Sequence, residues 1–109
     1  MRPGNLVTHL RIVFGIPQLT QNISKWVQAC KLRVDITETG HSRVFSPENV
    51  KDVELICFCK FIGLNTDTII KVLEGDEVAR NVMFENLKCY EEKIIPYGKS
   101  LKANDEESI

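Results

Sequence analysis

The residues of this chain that can do covalent or metal chemistry do not stand at the spacings such chemistry uses. Cys30, Cys57, Cys59 and Cys89 form no Cys-x-x-Cys pair, and neither His9 nor His41 stands near them in the sequence. Tetrahedral zinc sites draw on closely spaced Cys and His pairs, so no metal site is expected. Cys57 and Cys59 are two apart in an apolar stretch and read as small buried residues. Free thiols in a reducing compartment are the reading for the set, with a thiol sensor on Cys89 and another cysteine as the alternative. Glu91 and Glu92 are adjacent, and adjacent helical residues point apart, so they read as a solvated face. No glycine-rich phosphate loop and no His-Glu-x-x-His motif occurs. Neither catalysis nor a cofactor is expected from these residues.

The polar residues of the N-terminal half offer a different chemistry. Gln21, Asn22, Lys25 and Gln28 fall on the outer face of a predicted helix that opens at Thr20. Gln and Asn can bond bidentately to adenine edges and Lys can bond to guanine. Exposed helix faces are ordinarily polar, so this face alone does not single out DNA. Trp26 stands beside the apolar stripe of the same helix. Lys31 and Arg33 follow it and lead to a turn bearing His41, Ser42 and Arg43, cations and a hydroxyl of the kind that bind phosphate. The candidate DNA-binding set is therefore Thr20, Gln21, Asn22, Lys25, Trp26, Gln28, Lys31, Arg33, His41, Ser42 and Arg43.

The charge distribution agrees. The 109 residues carry a formal net charge of −1, which by itself argues against a polyanion partner. Residues 1–46 hold six Lys and Arg against two acids, a net +4, and the remainder holds eight against 13, a net −5. A basic part joined to an acidic part suggests a local anion-binding face. The length fits one small globular domain. No apolar run reaches the ~18–20 residues of a membrane span, and the opening Met1-Arg2-Pro3-Gly4-Asn5 is unlike a signal peptide. A cytoplasmic protein without a membrane partner is expected.

The elements that must position these residues are mostly helices. Asn5 is the expected cap of a first helix with Leu6, Leu10, Val13 and Phe14 inward, ended by Gly15 and Pro17. In the second helix Ile23, Val27 and Cys30 recur at i, i+4 and i+7. Residues 32–37 and 42–45 alternate apolar and polar around Gly40, the pattern of a short hairpin. Ser46-Pro47-Glu48 opens a helix with Val50, Val53, Cys57 and Phe61 on one side, ended by Gly63. Asn65 or Thr66 caps the next, with Ile69, Ile70 and Leu73 inward and Gly75 closing it. A last helix starts near Asp76-Glu77 and is expected to end before Pro96. Its Met83, Leu87, Tyr90 and Ile94 step by 4, 3 and 4, a short heptad seam that suits dimerisation or packing on the chain's own core.

The stretch from Thr39 through Gly40, Arg43, Phe45, Ser46 and Glu48 to Val50 resembles the wing and following helix start of MerR-type winged helix-turn-helix proteins. The continuation from Val53 to Leu73, with a helix pair split at Gly63, is similar to the same family. The resemblance covers about residues 5–75. Trp26-Val27 stands where the family has paired aromatics, and its metal-sensing cysteine arrangement is not present. The resemblance implies a mainly α fold with a winged helix-turn-helix of MerR type, a short β-hairpin wing and a C-terminal helix. It implies Arg43 on a phosphate and Trp26 near the backbone or against the recognition helix.

Three segments follow from this reading: a DNA-binding domain over 1–75, a C-terminal helix over 76–96 that serves dimerisation, and an acidic disordered tail over 97–109. The expected function is a small sequence-specific DNA-binding protein, a transcriptional regulator that sets a helix in the major groove of double-stranded DNA and a wing on its phosphates, as a homodimer. The alternatives are a protein-interaction module, such as an anti-repressor, adaptor or antitoxin, and an excisionase-like architectural factor that bends DNA.

Overall fold

The computed structural model describes residues 1–15, 20–36 and 43–107. These are mainly helical: α1 (Pro3–Phe14), α2 (Thr20–Ala29), α3 (Pro47–Phe61), α4 (Thr66–Leu73), α5 (Glu77–Cys89) and α6 (Ile95–Glu107), with a π-helical turn at Tyr90–Ile94 joining the last two. Between α2 and α3, β1 (Asp35–Ile36) pairs antiparallel with β2 (Arg43–Val44), Asp35 opposite Val44 and Ile36 opposite Arg43. The expected hairpin tip at Gly40, with His41 and Ser42, lies outside the described residues, as do Ile16 to Gln18.

Two apolar clusters hold the body. In the first, Leu6 and Leu10 of α1, Ile23 and Val27 of α2 and Val53 and Cys57 of α3 close around Phe45. In the second, Ile56 and Cys59 of α3 meet Ile69 and Val72 of α4 and Ala79 and Met83 of α5. Trp26 packs against both and is half-buried between them. Apolar burial at roughly 25 cal/mol per Å² is the force that assembles both clusters. Phe45, 2 % exposed, pins the β1–β2 segment to the helices. Its N–H donates to the Met1 carbonyl and its carbonyl accepts from the Met1 amino group, both at 2.7 Å.

Helix ends follow local chemistry. Ser46 Oγ accepts from the Asn49 N–H at 3.1 Å while Asn49 Oδ1 accepts from the Ser46 N–H at 3.1 Å, a reciprocal cap at the start of α3. Asn65 and Asp76 cap α4 and α5 by accepting from Thr68 and Ala79 N–H groups. The first helix departs from expectation: it starts at Pro3, with Arg2 in the capping position, not at Asn5. Val13 is 49 % exposed, and Phe61 points outward to meet Tyr90 edge-on, ring centroids 5.2 Å apart.

The largest correction concerns the C-terminus. Helical backbone runs from Glu77 to Glu107, about 45 Å at 1.5 Å per residue, and passes through Pro96. A proline lacks the N–H of the ladder and its ring crowds the carbonyl four residues back. The preceding turn widens to a π turn, with the Ile95 N–H bonded to the Tyr90 carbonyl, and this wider turn accommodates the proline. The tail expected to be disordered is thus helical as far as Glu107. No described helix is long and apolar enough to cross a membrane.

Candidate nucleic-acid interface

The helix α2 is two-faced. Ile23 and Val27 are buried, while Gln21, Lys25 and Gln28 are exposed on the opposite side. These three stand at i, i+4 and i+7, so they share one face. Asn22 and Trp26 lie on its flank and are half-buried, and Trp26 is taken up by the two core clusters. The chain therefore uses Trp26 as packing, and the outward set contracts to Gln21, Lys25 and Gln28. Thr20 opens the helix.

Where α2 ends, Lys31 adopts a left-handed conformation, φ 54°. The Leu32 N–H donates to the Val27 carbonyl at 3.0 Å and the Lys31 N–H to that of Gln28 at 3.2 Å. This is the Schellman pattern, whose left-handed residue is usually glycine. The same pattern closes α3 and α4, and there Gly63 and Gly75 take the left-handed place, φ 87° and 85°. Only after α2 does a side chain carrying a charge occupy it, and Lys31 is exposed. A left-handed L-residue costs roughly 1–2 kcal/mol.

Beyond the cap, Arg33 is exposed and its carbonyl accepts from Asn49 Nδ2 at 2.9 Å. Asn49 thus serves two ends at once, capping α3 and tethering the segment that leads from Arg33 into β1. It was not among the sequence candidates; an Asn three residues after a Ser-Pro start is the signal that marks it. Arg43, expected on a phosphate, is half-buried on β2, and its Nη1 is enclosed without a hydrogen-bond partner among the described residues. Gln21, Lys25 and Gln28 thus share one exposed face of α2, Lys31 and Arg33 are exposed on the segment that follows it, and Arg43 is half-buried on β2. His41 and Ser42 lie outside the described residues.

His9 Nε2 on α1 meets Glu54 Oε1 on α3 at 2.6 Å, giving this histidine a carboxylate that the sequence did not reveal. Burial pushes the Cys59 thiol up to about 11, with Cys30 adding to the effect, and burial also raises Cys57 and Cys30. These three thiols therefore stay protonated near neutrality, while Cys89 is exposed. Burial, with Glu48 nearby, likewise raises the Asp52 carboxyl. Among the described residues no cluster of His, Cys, Asp or Glu is arranged to hold a metal.

The expected dimer seam divides in two. Met83 is 5 % exposed in the second core cluster, and Leu87 and Tyr90 pack against that cluster. Ile94, the last of the four, is 57 % exposed. Of the four seam residues, Met83 is thus buried by this chain itself, and Leu87 and Tyr90 are partly buried.

Comparison with family models, curated proteins and solved structures returns no significant match to this chain.

Proposed function

We propose that this is a small sequence-specific DNA-binding protein, a transcriptional regulator of winged helix-turn-helix build that works as a dimer. In this reading α2 enters the major groove, with Gln21, Lys25 and Gln28 toward base edges. The observation that carries it is the pairing of faces on α2. Ile23 and Val27 hold one side in the core, so the three polar side chains opposite are presented on a rigid support. The β1–β2 segment is the wing, and Lys31 and Arg33 contact flanking phosphates. The left-handed Lys31 supports this assignment: glycine would suit that backbone better, so the position keeps a cation at a structural cost. Arg43 braces the base of the wing from within.

Binding of the protein to a random pool of duplexes, followed by selection and sequencing, tests the reading. A preferred site is expected, with affinity falling steeply as salt rises. Absence of even non-specific binding at low salt would sink it. A protein-interaction module is the second reading, favoured by Val78 and Phe84, which are 73 % and 50 % exposed on α5. Discrimination among duplexes that relaxes in Lys25→Ala and is unchanged in Val78→Ser decides for DNA; absence of duplex binding in the parent chain leaves the protein partner as the reading.

A further inference from the structure

We propose that the hollow over Phe45 at the start of α3 binds a small apolar carboxylic acid, its tail resting on Phe45 and its carboxylate paired with the Lys51 ammonium. The proposal uses none of the α2 side chains and does not depend on the DNA reading.

A cavity of about 430 Å³ is lined by Met1, Phe45, Pro47, Val50, Lys51 and Glu54. Small-molecule sites run from roughly 300 to 1,000 Å³, so it has room for a short-tailed ligand. Four of the lining residues lie on one side of α3, at positions 47, 50, 51 and 54. Pro47 is exposed and Val50 half-buried, so this side of the helix keeps uncovered apolar surface. Phe45, 2 % exposed, is the floor of the hollow. Two backbone hydrogen bonds of 2.7 Å join Phe45 to Met1, which lines the hollow beside it. Two parts of the wall are therefore fixed to each other before a ligand arrives, and this lowers the ordering cost of binding.

Charge says which head group the ligand carries. Lys51 and Glu54 are the charged side chains of the lining. The Glu54 carboxylate already has a partner, His9 Nε2 at 2.6 Å. Lys51 is exposed, and its ammonium has no hydrogen bond or ion pair among the described residues. An apolar floor with one unanswered ammonium at its edge suits an apolar tail that ends in an anion. A cationic head would meet Lys51 with like charge, and a neutral ligand would leave it unused. A second hollow of about 300 Å³ lies on the other side of Lys51 and Glu54, against Phe14, Leu55 and Phe58. Those three side chains are half-buried, and none is a buried floor of the kind Phe45 provides. The tail is therefore assigned to the hollow over Phe45.

The test titrates the full, isotope-labelled chain with octanoate, octanol and octylammonium, three probes with one tail and three head groups, followed by amide NMR shifts. Octanoate should shift the amides of Phe45, Val50 and Lys51 saturably. It should bind about fivefold more tightly than octylammonium, the size of effect an exposed charge pair supports. Lys51→Ala should bring the two charged probes close to equal affinity, and Lys51→Glu should make octylammonium the tighter. Lys51 is exposed, so both variants should keep the helical circular dichroism of the parent chain, which is recorded alongside. The absence of saturable shifts, equal affinity for all three probes, or a preference for octanoate that survives Lys51→Glu overturns the proposal. Shifts centred on Phe14 and Phe58 in place of Phe45 overturn it as well. Duplex binding by the parent chain, measured separately, bears on the DNA reading alone.

Discussion

Helices α2 and α6 are of similar length and both show solvent a broad face, yet they are built oppositely. The inner side of α2 is held by Ile23 and Val27, and what it leaves outside is amide and ammonium: Gln21, Lys25 and Gln28. Along 95–105, α6 holds nothing inside, and what it leaves outside includes Tyr97 and Leu101. A polar face on a braced helix needs no partner for stability, so a partner it meets is recognised by hydrogen bonds and charge. An apolar face on an unbraced helix lacks the burial that would stabilise it. The two ends of the molecule thus show solvent different chemistry, one polar and basic, the other partly apolar.

The sharpest break in this contrast is a truncation made once in each helix. Ile23→Ala should cost about 2–5 kcal/mol in urea unfolding, the range for a large buried aliphatic side chain. Leu101→Ala should move stability by less than about 0.5 kcal/mol, as surface substitutions do. Equal losses would mean that α6 is braced after all. A smaller effect is expected on recognition. Gln21→Ala or Lys25→Ala should each remove about 1–3 kcal/mol of discrimination between the selected duplex and a mismatched one, read by competition binding. The unfolding curve should not move, since both side chains are exposed. Next comes Asn49→Ala, which removes the cap of α3 and the bond to the Arg33 carbonyl. It should lower stability by about 1–2 kcal/mol in the same unfolding assay.

The smallest expected shift has the opposite sign. Lys31→Gly relieves a left-handed lysine and should stabilise the chain by up to about 1 kcal/mol. The same change should weaken duplex binding and reduce the salt slope by about one charge. Gain of stability with loss of binding would mark Lys31 as a residue kept for its charge. Gain of stability with binding unchanged would remove it from the interface.

Much of the helical plan was legible because it rests on local chemistry. Ser46-Pro47-Glu48, Asn65 and Asp76 are capping residues, and the structure starts α3, α4 and α5 behind them. Gly63 and Gly75 sit at left-handed helix ends that favour glycine. The end of α2 was less legible, because a lysine occupies that same conformation and carries no such mark. Proline misled in the other direction. Pro96 reads as a stop, but one widened turn before it lets the helix pass. The candidate site was legible as a face of α2 and not as a set of contacts. Spacing placed Gln21, Asn22, Lys25 and Gln28 outside, of which Asn22 is half-buried, and how far Trp26 and Arg43 face solvent depended on what packs over them.

From the sequence alone followed the helical character of the chain, most of its helix starts, the inner stripe of α2 and the split of charge into +4 and −5. Periodicity, capping and composition act over a few residues, so they can be read in a line. Only the tertiary structure decided that Trp26 is shared by two cores, that Arg43 turns inward, and that Glu54 meets His9. It also decided where one apolar series stops being core: Met83 is covered by α3 and α4, and Leu101, at equivalent spacing, is bare. Burial depends on which distant segments arrive at a surface, and no local pattern carries that information.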